Sequence, residues 1–242
     1  MKPFKELASA DEIIDYQKRV LSRTGGRKAD EAQLYHYSNI LALKGMLDSG
    51  FMWLSPVDRM NDVLEAEMIR SAGIKDMNFA CFSRTNQSIA MFKMYAPNPN
   101  GVMISISVSD AKRMLELKPR LVENDMVRDE VDIELYWMGV CYKDIETETI
   151  TTPGQRNSRI KKPLKELAGA VKLSGWDYEK EVRLCGRMRL YPEQRLAVKL
   201  PERINVTLCP GFDRESNRSI LSKLIENGIR YEESKYEGWI RT

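Results

Sequence analysis

The amino-acid sequence predicts an α+β fold, and three observations carry that prediction. About eight short strand-like runs and five or six helical segments follow one another irregularly, so the regular βαβ alternation of a doubly wound parallel sheet is missing. No Gly-, Ser- or Pro-rich linker divides the 242 residues, which argues against two separate units. Hydrophobic residues at 43% and charged residues at 30% are globular values that allow a sizeable core. The chain therefore reads as an N-terminal flanking helix within residues 1–30 and a single α+β domain over 31–242.

Each element has a local justification. Ser9-Ala-Asp-Glu12 has capping-box spacing and opens an amphipathic helix through Ile13, Ile14, Tyr16, Val20 and Leu21, ending near Gly25-Gly26. Gln33-Leu-Tyr-His-Tyr37 is a short aromatic strand, with Ser38 as N-cap of a helix carrying Ile40, Leu43 and Leu47 and closed by Gly50. Phe51-Met-Trp-Leu54 is a second strand, cut off by Ser55-Pro56. Asn61-Asp62 opens a short charged helix, and Phe79-Ala-Cys-Phe-Ser83 is a buried strand by its apolar content. Residues 86–95 read as helical. Val102-Met-Ile-Ser-Ile-Ser-Val108 is β-branched and strand-like, and Ser109-Asp110 caps the helix after it.

Residues 119–133 are acidic and weakly patterned, and read as loop. Residues 135–142 are a strand. The stretch 151–172 is basic at Arg156, Arg159, Lys161, Lys162, Lys165 and Lys172, with Pro163 breaking or starting its helix. Two further strands, Leu196-Ala-Val-Lys-Leu200 and Ile204-Asn-Val-Thr-Leu208, precede a helix over 214–226 and a last strand at Ile229-Arg-Tyr231.

Charge and composition narrow the function. A net charge of +3 is a near balance of 38 basic and 35 acidic residues, so the chain is not a polycation built to coat nucleic acid. No run approaches the roughly 18 apolar residues a membrane span needs, and residues 1–10 lack a signal-peptide core, so a soluble cytoplasmic protein is expected. Cys81, Cys141, Cys185 and Cys209 lie far apart in apolar runs and read as buried reduced thiols. With one histidine and no paired cysteines, no metal site is expected.

The most informative stretch is Trp-Asp-Tyr-Glu-Lys-Glu-Val-Arg at 176–183. Read as a strand, it puts Glu179, Glu181 and Arg183 on one side and Tyr178, Lys180, Val182 and Leu184 on the other. The second row suits a core, so the charged row is expected to face solvent or a cleft. The bland alternative is a solvated face of weak ion pairs. His36, mid-strand between Tyr35 and Tyr37, is either a half-buried residue bonded to backbone or a ligand-binding imidazole with a tyrosine as stacking wall.

Several chemistries fail on spacing. A Cys-His nucleophile pair lacks any local sign of activation. Arg23-Thr-Gly-Gly-Arg-Lys28 has neither the spacing nor the preceding strand of a phosphate loop. A metal-dependent nuclease built on Asp177, Glu179 and Lys180 has its residues in the wrong order. Two carboxylates on one face, an imidazole on another strand and nearby aromatics instead suit a reaction that develops positive charge on a sugar.

In order along the chain, Leu34-Tyr-His-Tyr-Ser38, Leu47-Asp-Ser-Gly-Phe-Met-Trp-Leu-Ser-Pro56, Asn61-Asp62 with Glu65, Phe79-Ala-Cys-Phe-Ser83, Tyr95-Ala96, Gly101-Val102 and Trp176-x-x-Glu-x-Glu-x-Arg183 resemble the bacterial family called domain of unknown function 2971. The likeness spans about residues 34–235. Val63 stands where that family usually has proline, and Phe92-Lys93 replaces its usual tryptophan neighbourhood. The family in turn resembles, more distantly, the ADP-ribosyltransferases. That resemblance implies a mixed, largely antiparallel split sheet flanked by helices, with NAD as substrate.

Carried over by residue, it implies that His36 holds a ribose, Trp53 or Ser55 takes the second-strand position, and Tyr95 stacks on nicotinamide. Tyr37 and Arg183 join the NAD-binding set. Glu181 is then the catalytic carboxylate and Glu179 the upstream one that activates the acceptor, although their order stays open because both project to one face. The acceptor is a protein or a nucleic acid, and the basic stretch suits an RNA or other phosphate-rich acceptor if it is not simply a solvated helix face. A toxin or phage-defence effector, with an antitoxin as partner, is the biological setting implied. NAD hydrolysis, or a non-catalytic binding module in which Glu179, Glu181 and Arg183 form a structural ion network, remain the alternatives.

Overall fold

The computed structural model describes residues 33–143, 169–188 and 194–236. The expected N-terminal helix and the basic positions from Arg156 to Lys165 lie outside them. The chain runs β1 (Gln33–Asn39), α1 (Ile40–Ser49), β2 (Phe51–Pro56), α2 (Val63–Ser71), β3 (Met77–Ser83), α3 (Ile89–Tyr95), β4 (Gly101–Ser107) and α4 (Val108–Arg113). It continues with β5 (Arg120–Glu123), β6 (Met126–Glu130), β7 (Leu135–Gly139), β8 (Cys141–Lys143), β9 (Val171–Leu173), β10 (Glu181–Arg187), β11 (Arg195–Lys199), β12 (Ile204–Leu208), α5 (Arg218–Glu226) and β13 (Arg230–Glu233). The architecture is α+β with a mixed, largely antiparallel sheet: among the described strands only β12–β13 and the separate β8–β9 ribbon pair in parallel.

The main sheet has the order β13-β12-β4-β1-β3-β2-β11-β5-β6, with β10 also on β3 and β7 beyond β10. β10 occupies one edge of β3 over its whole length, from Glu181↔Ser83 to Arg187↔Met77. The other edge is shared. β1 meets it at Tyr35↔Ser83, whereas β2 meets it at Ser55↔Phe79 and Pro56↔Asn78. The backbone edge of residues 80–82 is thus left open between two diverging strands, and the sheet is split there.

Two layers cover the sheet. On one face α1, α4 and α5 set Ile40, Leu43, Ala111 and Leu224 against Leu34, Phe82, Val182 and Leu184, all nearly or fully buried. On the opposite face α2 and α3 form two smaller apolar clusters, around Ile69 and Phe79 and around Phe92 and Tyr37. Glu181 and Arg183 of β10 also point to this second face.

Local signals explain most elements. Asn39, not Ser38, caps α1 by accepting from the Ala42 N–H at 2.9 Å, because β1 runs two residues further than its aromatic pattern. Gly50 closes the helix in the left-handed conformation at φ 74°. Ser107, rather than Ser109, caps α4. Residues expected as loop form the β5–β6 hairpin, whose turn places both Asn124 and Asp125 at positive φ. β6 is the edge strand, with mostly exposed charged side chains, and β5 beside it buries only Val122, so the apolar alternation that marks a half-buried strand is absent. The strand expected over 135–142 breaks at Val140 into β7 and β8. Cys185 and Cys209 are buried as expected, Cys141 is half-buried, and Cys81 is exposed.

Candidate functional site

A hollow of about 630 Å³ opens at the split and lies within the usual range for small-molecule sites. His36, Tyr37, Trp53, Ser55, Tyr95, Glu179, Glu181 and Arg183, all eight residues singled out from the sequence, line it. The strands deliver them in a defined way. Register puts Arg183 opposite Cys81 and Glu181 opposite Ser83, while Tyr35 also faces Ser83, so Tyr35, Tyr37, Glu181 and Arg183 share one face of the sheet. Ser55, opposite Phe79, brings Trp53 and Ser55 to that face.

His36 belongs to the other row, and its ring packs 5.4 Å from Phe82. It borders the hollow because the edge of β3 is open there: its Nδ1 donates to the Cys81 carbonyl at 2.8 Å, from β1 to the β3 edge that β1 and β2 leave open. That bond selects the tautomer with Nδ1 protonated and leaves Nε2 as an acceptor. Burial lowers the His36 pKa against the opposing pull of the Cys81 carbonyl, so the ring is neutral at pH 7. Tyr37 is less available than its sequence position suggests. Its hydroxyl accepts from the Ser88 N–H at 2.9 Å and donates to the Thr85 carbonyl at 3.0 Å, bracing the turn that starts α3.

The alternation expected over 176–183 fails at its N-terminal half. Residues Ser174–Glu179 form a 3-10 helix, and Lys180 takes the left-handed conformation at φ 45°. Such a backbone costs a non-glycine residue roughly 1–2 kcal/mol. It is held by the Ser83 hydroxyl donating to the Glu179 carbonyl at 2.5 Å and the Arg84 N–H donating to the Lys180 carbonyl at 3.1 Å. Only at Glu181 does the strand begin, so Glu179 and Glu181 converge by this turn and not by strand periodicity. Within β10 the alternation holds: Val182 and Leu184 are fully buried in apolar core.

The charged row is not a solvated face. Arg183 is 0% exposed, Glu179 2%, Glu65 3%, Glu181 5% and Lys172 7%. Arg183 grips Glu65 with two bonds of 2.6 and 2.9 Å and Glu181 with two of 2.7 and 3.0 Å, and donates to the Gly169 carbonyl at 2.7 Å. Lys172 Nζ lies 2.7 Å from Glu179, 3.1 Å from Glu181 and 3.7 Å from Glu65. Tyr95 donates its hydroxyl to Glu179, and the Glu181 N–H donates to the Tyr142 hydroxyl at 2.7 Å.

Each partner is aimed by its own element. Asp62 caps α2 by accepting from the Glu65 N–H at 3.1 Å, which turns the carboxylate of the first helical turn inward to Arg183. Tyr95 ends α3, whose next residue, Ala96, packs against Gly101 so closely that a Cβ there would sit 1.7 Å from the Ala96 carbonyl oxygen. Gly101 is therefore required for the approach of α3 to β4.

The electrostatics separate the two glutamates. Burial alone raises the pKa of each. For Glu181 the Arg183 guanidinium and the Lys172 ammonium outweigh burial and hold the carboxyl below its usual range. For Glu179 burial wins over Lys172, with the neighbouring Glu181 charge adding to it, and the pKa is raised. Burial and the Glu179 and Glu181 charges push the Tyr95 hydroxyl up, so it stays a donor. Cys81 is exposed only as a wall of the hollow is, yet the protein around it desolvates the thiol and, with the Glu181 charge beside it, raises its pKa, so this residue is no thiolate.

Two residues of the cluster escaped sequence reasoning in this role. Lys172 ends a basic stretch that reads as a solvated helix face, and Glu65 is a single letter of a family-like motif. The inward cap at Asp62 was the one local sign of the latter.

Comparison with known proteins adds little to this geometry. No family model matches the chain, so the likeness to domain of unknown function 2971 rests on its motifs, and no curated protein matches it. Two solved structures share 10% and 12% identity with it: the DarT of Thermus sp. 2.9 in complex with carba-NAD+, at a TM-score of 0.35, and the same protein in complex with ADP-ribosylated ssDNA, at 0.36. The alignments cover 86% of this chain in both cases and 97% and 95% of the other. Similarity of this degree carries no argument about shared activity.

Proposed function

We propose that the hollow binds NAD and that the protein transfers ADP-ribose from it to a macromolecular acceptor, protein or nucleic acid. The observation that carries this reading is the convergence of Glu179 and Glu181 with His36 and Tyr95 around one hollow at the split of the sheet. The ordered motifs resemble domain of unknown function 2971 and, through it and more distantly, the ADP-ribosyltransferases, and that resemblance implies the same residues for this chemistry.

In this mechanism the bond from the ribose anomeric carbon to the nicotinamide nitrogen breaks, and its electron pair leaves with neutral nicotinamide. The ribose is left with an oxocarbenium-like charge. Glu181, kept ionised by Arg183 and Lys172, holds a ribose hydroxyl and stabilises that charge in a site shielded from water. Three carboxylates against two cations give the floor of the hollow one excess negative charge when all are ionised, which favours a cationic transition state. Glu179, whose raised pKa suits proton exchange, takes the proton of the acceptor nucleophile as it attacks the anomeric carbon. Tyr95 walls the nicotinamide side, and His36 Nε2 accepts from a ribose hydroxyl.

One observation favours a second reading. Both oxygens of Glu179 and both of Glu181 already accept hydrogen bonds from the protein, as a purely structural network in a binding module would require. Incubation with NAD labelled in its ADP-ribose half, with and without cell extract, separates the cases. Transfer puts label on macromolecules, hydrolysis releases free ADP-ribose, and silence in every condition leaves the binding module. Under the transferase reading Glu181→Gln lowers nicotinamide release by about 100-fold or more, while Glu179→Gln keeps part of the release and loses the label on acceptor.

A further inference from the structure

Lys172 comes from neither strand that frames the split. It sits on β9, in a two-stranded parallel ribbon where it lies directly beside Tyr142 of β8. The two neighbours close on the start of β10 from the same side: Tyr142 receives the Glu181 N–H, and Lys172 reaches the carboxylates of Glu179 and Glu181. Its ammonium also lies 5.4 Å from the centre of the Trp176 ring. An ammonium has three donors, and here one is at 2.7 Å from Glu179 and another at 3.1 Å from Glu181.

We propose that Lys172 is a positioning residue of the catalytic floor, whose single ammonium pins both glutamates and sets how each meets substrate. The inference rests on the NAD reading for its catalytic consequence but not for its geometry. Arg183 cannot do this alone, because it contacts Glu181 and Glu65 and makes no bond to Glu179. Lys172 is the group through which the carboxylate of the 3-10 helix and the carboxylate of the strand are coupled. Among the described residues, the other charged or titratable groups around it are Glu65 from α2, Tyr95 from α3, Cys81 from β3, Tyr142 from β8, Tyr178 from the 3-10 helix and Arg183 from β10. Burial opposes the charge of Lys172, but Glu181 and Glu65 more than compensate and keep it protonated across the working pH range.

The test compares wild type, Lys172→Met and Lys172→Arg in the full-length protein. Nicotinamide release from NAD is followed against pH, and the glutamate carboxyls are titrated by carbon NMR without NAD. Removing the cation is expected to raise the apparent pKa of the glutamate pair by about 1–3 units, moving the acidic limb of the rate profile up by the same amount. The rate at neutral pH is expected to fall about tenfold or more, mainly in kcat, and Lys172→Arg is expected to recover most of both. A Lys172→Met variant whose carboxyl titration and pH profile match wild type overturns the proposal. So does a folded Lys172→Arg variant that recovers neither.

A measurement on the unaltered protein covers the case in which Lys172→Met does not fold. Hydrogen-bond couplings from Lys172 Nζ to the side-chain carboxyls of both Glu179 and Glu181 support the proposal, and a missing coupling to either overturns it. A wild-type protein that releases no nicotinamide removes the NAD reading alone, since the couplings and the titration still decide what Lys172 holds.

Discussion

The two faces of the central sheet are both largely closed to water, one by hydrocarbon alone and the other, around the hollow, by paired charges as well. Val182 and Leu184 point into hydrocarbon, while their neighbours Glu181 and Arg183 belong to a cluster of five ionisable side chains with little access to water. An apolar face tolerates any side chain of suitable volume, because dispersion and the hydrophobic effect have no direction. A buried charged face tolerates no single replacement so readily, because each group's desolvation is offset only by its particular partners. The core face therefore supports the fold in general, and the charged face specifies one arrangement at the hollow.

The largest expected effect sharpens that contrast. Arg183→Met strands Glu65 and Glu181 without their main partner and is expected to lower stability by about 3–5 kcal/mol in urea unfolding. Leu184→Ala, equally buried on the other face, is expected to cost about 2–5 kcal/mol. The two differ in what a second change does. Adding Glu65→Met and Glu181→Met to Arg183→Met is expected to recover part of the loss, since the orphaned charges go with their partner. Further truncation on the apolar face only adds to the damage. Loss instead of recovery in the charged combination would break the comparison.

Next in size is Tyr95→Phe, which removes the hydroxyl donor from Glu179. A hydrogen bond to a charged group contributes roughly 1.5–3 kcal/mol, and a loss in that range should appear in the same unfolding assay. The Glu179 carboxyl should also titrate higher than in wild type by carbon NMR, because its charged form loses a donor.

The smallest effect is the acid response. Glu181 has a folded pKa below its unfolded value, so its contribution is fully present above the ordinary carboxyl pKa of about 4.3 and is lost as pH falls through the depressed value. The slope from this one group is at most about 1.4 kcal/mol per pH unit. Glu179, with its pKa raised, has the opposite sign: its contribution improves as pH falls from the raised value toward the ordinary one. Thermal melts between pH 2 and 7 should show a flatter acid limb for Glu181→Gln, whereas Leu184→Ala should shift the whole curve down without changing its shape.

Legibility in the sequence followed the same division. Alternation correctly placed Val182 and Leu184 in the core and Glu181 with Arg183 on the other face, because strand period is a local property of the backbone. The same logic extended to Glu179 fails, since Lys180 in the left-handed region ends the pattern and no local signal in Glu-Lys-Glu announces it. Asn124-Asp125 did carry turn chemistry for the β5–β6 hairpin, but its charged flanks hid the strands. Lys172 looked like one more surface lysine in a basic run, because charge in a sequence reveals nothing about burial.

By itself the sequence determined the α+β class and the strands that hold His36 and Glu181, from local periodicity and caps, while the eight residues that the family resemblance implied all border the hollow. Only the tertiary structure decided that the sheet splits between β1 and β2, that the charged row is buried, and that Lys172 and Glu65 complete it. The reason is physical: strand period and capping act over a few residues, whereas the pairing of buried charges joins Glu65 to Arg183 across 118 positions of chain and exists only once the sheet has closed.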